Sequence, residues 1–367
     1  MTTLRDICNA FAPKYLERYP HLPLSHRKVI RAIPHCQSGY YGHSLYQCQS
    51  CGEQHRVNHS CGNRPCPQGQ HHKTQPWLAP HLDKQLPGPP FLLPFTVPET
   101  LRPFIRSLQR LASQALFTAS SFALKRLAKA ERFIGTELPG FTGVLHPWGR
   151  QLQYHPHIHY IVPGGGLSKD PTTWLPSRAT FFVPVKALSP LYRALFKEDM
   201  RQAGLLEHSD PQVWNLPWNG HSQAGANGPT AFKYLAPYVF RVAISNRRLV
   251  SLQDRTVTFT YRQPRSSRPR TTSLDAMEFL RSFLQPVLPE GFMKVRHFGF
   301  RHASCAISAH TLRRMIVQVC SIPCKPAQIV APKPFITRCP TCGVPMRLVM
   351  RLWATDTCID TSCERQL

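Results

Sequence analysis

His157 and His159 stand two apart in the run His155-Pro156-His157-Ile158-His159-Tyr160-Ile161-Val162-Pro163-Gly164, whose composition predicts a β-strand. On a strand, residues i and i+2 leave one face roughly 6.6 Å apart, so both imidazoles can reach one ion while Ile158 points the other way. About eighty residues on, Tyr234-Leu235-Ala236-Pro237-Tyr238 sets two phenols at i and i+4, neighbours on a helix face. A tyrosine phenolate can attack a DNA phosphodiester in line, leaving a 5′-phosphotyrosine and a free 3′-hydroxyl, provided the phosphate charge is neutralised. A divalent ion such as Mg²⁺ or Mn²⁺ on the histidines would do that, and the covalent link would conserve the bond energy for rejoining without ATP. His146, on a preceding strand, and His155, on the same strand face, are candidates for a third ligand; His146 is preferred because Pro156 perturbs the run beside His155. Arg241, about one turn beyond Tyr238, would lower the phenol pKa or hold phosphate. Tyrosines at this spacing are more often a core stripe than a nucleophile pair, and only their conjunction with the histidines reverses that reading. Competing chemistries lack their residues: there is no HExxH motif, no carboxylate pair, and Gly164-Gly165-Gly166 lacks the lysine of a phosphate-binding loop.

The elements that must position these groups are of mixed type, which predicts an α+β fold. Apolar residues at helical spacing predict two short helices between Thr3 and Pro34, a helix over 101–133 with a basic face, another over 190–206, one over 231–239 that carries the tyrosines, and one over 274–283. Strands are expected at 91–97, 141–146, 151–162, near 180–185, and as short hairpins at 242–244, 249–252 and 257–261. Residues 215–229 and the run 262–270, RQPRSSRPR, read as loops.

The chain has 367 residues and a net charge of +26, from 45 lysines and arginines against 19 acidic residues. Such an excess points to a polyanionic partner, nucleic acid before a membrane surface. No apolar run approaches the length of a membrane span, so a soluble, unexported, cytoplasmic protein associated with the nucleoid is expected. Thirteen cysteines in a reducing compartment are then thiols or metal ligands rather than disulfides. Two sets have zinc-ligand spacing: Cys48-x2-Cys51-x9-Cys61-x4-Cys66 and Cys339-x2-Cys342-x15-Cys358-x4-Cys363. Each is expected to bind its own structural zinc, with Cys36, His55 and His59 as reserve ligands in the first. Cys8, Cys305, Cys320 and Cys324 are left as packing thiols.

The blocks Leu145-His146-Pro147-Trp148-Gly149, His155-Pro156-His157-Ile158-His159, Val162-Pro163-Gly164-Gly165-Gly166, Lys233-Tyr234-Leu235-Ala236-Pro237-Tyr238-Val239-Phe240-Arg241-Val242-Ala243-Ile244-Ser245-Asn246 and Leu288-Pro289-Glu290-Gly291-Phe292-Met293-Lys294-Val295-Arg296-His297-Phe298-Gly299 closely resemble the rolling-circle transposases of the insertion-sequence ninety-one group, in the HUH endonuclease superfamily. The likeness runs from about residue 20 to 350. It implies a zinc-binding domain at the N-terminus and a catalytic domain with a ferredoxin-like or RRM-like antiparallel sheet; with the residue reading, the expected division is a helical and zinc-binding domain at 1–75, a linker and first strand at 76–100, the catalytic domain at 101–300, and a basic region at 301–367 whose cysteines suggest a second, zinc-ribbon-like knuckle. It also implies metal on His157 and His159, Tyr234 and Tyr238 as nucleophiles, and transfer of a nicked strand to target DNA. The substrate would be single-stranded or hairpin-forming element ends, opened by a host helicase, since the chain carries no helicase motif. The chain departs from the family at Pro65 and Gly69, where a histidine and a cysteine are usual, and at Pro237, where a basic residue is usual. Tyr238 is therefore favoured as first nucleophile, because Arg241 keeps a cation one turn on. The alternative is a catalytically decayed, zinc-containing DNA-binding protein derived from such a transposase. A replication initiator or relaxase would share the chemistry but not the paired knuckles.

Overall fold

The computed structural model describes residues 2–69, 84–88, 90–218, 243–263, 266, 268–321 and 337–354, and the backbone alone at 223–224. Two helices open the chain, α1 (Leu4–Arg18) and α2 (Leu24–Ala32). Thr3 starts α1 with a capping box, its hydroxyl accepting from the Asp6 amide while its own amide donates to the Asp6 carboxylate. Strands β1 (Gly42–Cys48) and β2 (Gln54–Asn58) follow, then β3 (Phe91–Thr96). The helix expected over 101–133 is two pieces, α3 (Arg102–Ser107) and α4 (Gln109–Lys129), broken at Leu108, where φ is −115° and ψ 40°. Just before the break the Ser107 hydroxyl donates to the Phe104 carbonyl, a local bond that competes with the helical ladder.

The central sheet is five-stranded and antiparallel, in the order β13-β5-β6-β3-β9, with β5 (Phe141–Trp148), β6 (Tyr154–Val162), β9 (Gln223–Ala224) and β13 (Val295–Phe298). One face is apolar: Phe95 of β3, Leu145 of β5, and Ile158 and Tyr160 of β6 pack with Leu116 and Phe117 of α4 and with Tyr192 and Phe196 of α5 (Val185–Gln202). Tyr160 is fully buried, edge-on to Phe95 and Phe141, with its hydroxyl 2.8 Å from Ser120 Oγ. Its ring lies over Gly143, its cross-strand partner, where a Cβ would come within 2.4 Å. The strict alternation along β6 thus commits the even-numbered residues 158, 160 and 162 to the core and turns 157 and 159 to the opposite face.

A second core joins the N-terminal helices to a three-stranded sheet, β10 (Leu249–Gln253), β11 (Thr256–Arg262) and β12 (Pro269–Asp275), and to α6 (Ala276–Leu284). Ile7, Ile30, Trp148, Phe259, Phe279 and Phe283 meet there. Strands β4 (Leu138–Pro139), β7 (Gly165–Leu167) and β8 (Trp174–Pro176) form a small sheet against α7 (Ala309–Cys320). The last strand among the described residues, β14 (Met346–Trp353), pairs antiparallel with β1, so the sheet β14-β1-β2 joins N-terminal and C-terminal segments of the chain.

Several expectations are corrected. Residues 180–185 form no strand: Phe181 makes an isolated bridge to Arg178, and Pro184, which has no N–H for a ladder, precedes a helix that starts at Val185 rather than at 190. Ala243 and Ile244 lie in a bend. The expected loop 262–270 and helix 274–283 give way at their junction to β12, because Asp275 accepts from the Met277 amide and delays the helix to Ala276. The helix expected over 231–239 lies outside the described residues. Among those described, no helix is long and apolar enough to cross a membrane.

Candidate metal and nucleic-acid site

The histidine face of the central sheet is assembled by register. His146 of β5 lies directly opposite His157 of β6, and Val144 opposite His159. His157 Nδ1 is 2.6 Å from the carbonyl oxygen of His155, so it must carry the proton and donate, which leaves Nε2 with its lone pair. That Nε2 lies 3.1 Å from His146 Nδ1. Two nitrogens bound cis to one octahedral ion at about 2.1 Å would stand about 3.0 Å apart, so this pair already has ligand spacing. The His157 and His159 ring centroids are 4.8 Å apart and those of His146 and His159 6.3 Å. His155 also falls against His157, at 4.7 Å between rings. Both candidates for the third position thus lie against His157, His146 within hydrogen-bond reach of it, although among the described residues no three of these imidazoles bring their ring nitrogens within 4.8 Å of one another.

The protonation states suit metal binding. Burial, reinforced by His155, lowers His159 to about 4. Burial and then Arg102 lower His155 to about 4, and burial with the neighbouring His159 and His155 holds His157 well below its ordinary value. Neutral imidazoles are the ligand form. Trp148 braces His146 from one side at 4.0 Å between rings, and carries the buried Lys294 ammonium 4.8 Å from its ring centroid.

The histidines open into a cavity of about 930 Å³. Its other wall is cationic: Arg150, Arg247, Arg248 and Arg262 line it, with Tyr261, and no acidic residue does so among the described residues. Arg248 knits this wall together, donating to the carbonyls of Thr260 (2.7 Å), Ala243 (3.1 Å) and Arg150 (2.6 Å). Arg150, Arg247 and Arg262 are exposed, a placement that suits phosphate oxygens. Sequence reading missed this wall, although the adjacent pair Arg247-Arg248 and the basic run beginning at Arg262 were visible. Tyr234, Tyr238 and Arg241 lie outside the described residues. Ala243, two positions beyond Arg241, lines the cavity.

The expected cysteine sets do not assemble as written. Cys48 and Cys51 meet Cys339 and Cys342, while Cys61 and Cys66 meet Cys36. The reason is topological: β14 pairs with β1 and carries the C-terminal knuckle to the N-terminal one. In the second group Cys66 Sγ lies 3.5 Å from Cys36 Sγ. His59 is committed elsewhere, between the Ser44 hydroxyl (2.9 Å) and the Tyr41 carbonyl (3.1 Å), and His55 sits in β2 opposite Tyr46. Cys358, Cys363 and Cys324 lie outside the described residues. Backbone amides of Cys51 and Ser50 lower the Cys48 thiol, and those of Cys342 and Thr341 lower Cys339, whereas hydrogen bonds with neighbouring sulfurs and burial outweigh the Glu53 and Val344 amides and raise Cys51 and Cys342.

A basic, α+β protein with cysteine clusters fit for structural zinc and a histidine cavity faced by arginines is a nucleic-acid-processing protein in class. Residues 140–308 match a family described as "Putative transposase", and residues 7–97 match the "Transposase zinc-binding domain". The chain is 34% identical over 315 residues to "Putative transposase y4qJ" of Sinorhizobium fredii, covering 80% of this chain and 79% of that protein. It is 28% identical over 287 residues to the "Transposase for insertion sequence element IS801" of Pseudomonas savastanoi pv. phaseolicola, covering 72% of this chain and 67% of that one. No solved structure matches. The chain belongs to the transposase family of the insertion-sequence ninety-one group.

Proposed function

We propose that the protein nicks single-stranded DNA at the ends of a mobile element through a 5′-phosphotyrosine and passes the strand to target DNA, the rolling-circle route. The observation that carries this is one cavity lined both by His146, His157 and His159 and by Arg150, Arg247 and Arg262. The arginines hold the DNA backbone and keep the scissile phosphate against the histidine wall. A Mg²⁺ or Mn²⁺ ion on His157, His159 and His146 would supply charge neutralisation at the phosphate. Tyr238 is the first nucleophile and Tyr234 the second: the phenolate oxygen bonds to phosphorus, the 3′ oxygen leaves and takes a proton, and a later attack by a 3′-hydroxyl returns the phenol. Tyr238 precedes Ala243 by five residues, so covalent geometry alone keeps it within about 18 Å of a residue that lines the cavity. Arg241 lowers the phenol pKa or holds phosphate. The small five-stranded sheet with helices on its apolar face fits the HUH type of catalytic domain, and strand opening falls to a host helicase or to transiently single-stranded DNA.

The test mixes protein with 5′- and 3′-labelled single-stranded element ends, with and without Mn²⁺, and resolves products before and after protease. The expected product is a metal-dependent, protease-sensitive adduct on the 5′ end of the cleaved fragment, absent from Tyr234→Phe/Tyr238→Phe. Intact DNA that still shifts in a native gel would sink the nicking mechanism in favour of a decayed DNA-binding protein.

A further inference from the structure

Zinc-binding similarity covers residues 7–97, yet the four sulfurs that converge most closely include two from the far end of the chain. Cys48 Sγ lies 3.4 Å from Cys342 Sγ, and Cys51 Sγ lies 3.5 Å from Cys339 Sγ and 3.7 Å from Cys342 Sγ. Four thiolates around one tetrahedral zinc at about 2.3 Å stand about 3.8 Å from one another, so these separations need only slight expansion.

The two halves are built alike. Cys48-Gln49-Ser50-Cys51-Gly52 and Cys339-Pro340-Thr341-Cys342-Gly343 both turn so that the glycine amide donates to the first cysteine carbonyl, at 3.0 and 2.9 Å. Each glycine has a positive φ, +76° at Gly52 and +72° at Gly343, which a side chain at that position would strain. In each, the amide of the first cysteine returns to a carbonyl beyond the glycine, Glu53 or Val344. Each knuckle then feeds a strand, β2 or β14, and both strands flank β1. Apolar burial does not hold this sheet: its cluster is Cys48, Cys339 and Met346 with part of Tyr46, and every residue of β14 after Met346 is exposed.

We infer that Cys48, Cys51, Cys339 and Cys342 bind a single zinc ion that clasps the two ends of the chain into one ribbon, across a separation of 294 residues. The N-terminal metal site is then complete only when the C-terminal knuckle is present, and loss of residues 337–353 removes its zinc as surely as loss of Cys48. Cys36, Cys61 and Cys66 form a separate group that does not depend on the C-terminus.

The full-length chain is loaded with Co²⁺ or Zn²⁺, and the metal is counted per folded monomer in Cys48→Ser/Cys51→Ser, Cys339→Ser/Cys342→Ser and the quadruple variant. One shared ion predicts that each pair loses the same single equivalent, that the quadruple variant loses no more, and that the tetrahedral thiolate spectrum of Co²⁺ falls alike in all three. A quadruple variant that loses two equivalents would overturn the proposal, as would full zinc retention in Cys339→Ser/Cys342→Ser. Should a variant misfold, the wild-type protein decides: on stepwise chelation, alkylation read by mass spectrometry is expected to reach Cys48, Cys51, Cys339 and Cys342 at one rate. Alkylation of Cys339 and Cys342 before chelation, with Cys48 and Cys51 protected, would contradict it.

Discussion

His157 and His159 ride on a strand whose other face is locked by Phe95, Ile158, Tyr160 and two helices, whereas Cys48 and Cys339 sit at the end of a sheet whose buried apolar residues are little more than these cysteines themselves. In the first region the fold itself orders the side chains: register sets His146 against His157, and a carbonyl fixes the tautomer. The second has four thiolates and scarcely a core, so metal must supply what packing does not. The lesson is a division of labour. A site that handles a substrate is preorganised by hydrophobic burial, and one that ties the chain together can leave its order to the ion.

The comparison can be broken most decisively at the histidines. His157→Ala/His159→Ala is expected to reduce nicking by about 10³-fold or more while zinc content and the affinity for single-stranded DNA stay close to wild type. Loss of zinc in that variant would mean that the two regions are not independent. Next in size, truncating the support beneath the site, Tyr160→Ala, should cost about 4 kcal/mol of stability in chemical denaturation, since a fully buried aromatic ring and its bond to Ser120 are lost. Stripping zinc with a chelator should instead raise amide exchange in β1, β2 and β14 and leave the five-stranded sheet protected. Equal exposure of both sheets would erase the distinction.

Much of this contrast was legible in the residues, and its limits are physical. Period-2 alternation gave β6 and the shared face of His157 and His159, because strand geometry is local. The cysteine knuckles were legible as knuckles for the same reason, through Cys-x2-Cys-Gly turns. Their partnership was not, since spacing along the chain says nothing of a pairing 294 residues apart. Strand β14 escaped notice because seven of its eight residues are exposed and its sequence MRLVMRLW has no alternation to betray a buried face. The arginine wall is likewise a product of folding, formed when the loop after β5, the turn before β10 and the end of β11 are pinned together by Arg248.

Smaller effects sharpen the picture. Burial holds His155 and His159 near 4, below the 6.5 of a free imidazole, so the unfolded chain takes up protons that the folded one refuses. Stability should therefore rise with pH between about 4 and 6.5 and level off above, while divalent-metal affinity of the folded protein should hold across that window and fall only as pH drops to about 4, where protons compete for the imidazoles. A flat profile in denaturant titrations would place these imidazoles in water. Least of all, Arg262→Ala should weaken DNA binding several-fold and reduce the salt slope by about one, without altering the cleavage position.

The central claim is that a tyrosine of the run Tyr234-Leu235-Ala236-Pro237-Tyr238 becomes joined to DNA. Digesting the Mn²⁺-dependent protein–DNA adduct with trypsin and sequencing the nucleotide-bearing peptide by mass spectrometry tests it directly. The account predicts phosphotyrosyl linkage at Tyr238, or at Tyr234 in Tyr238→Phe. Linkage at Tyr261, which lines the cavity from β11, or cleavage without any covalent peptide, would contradict it.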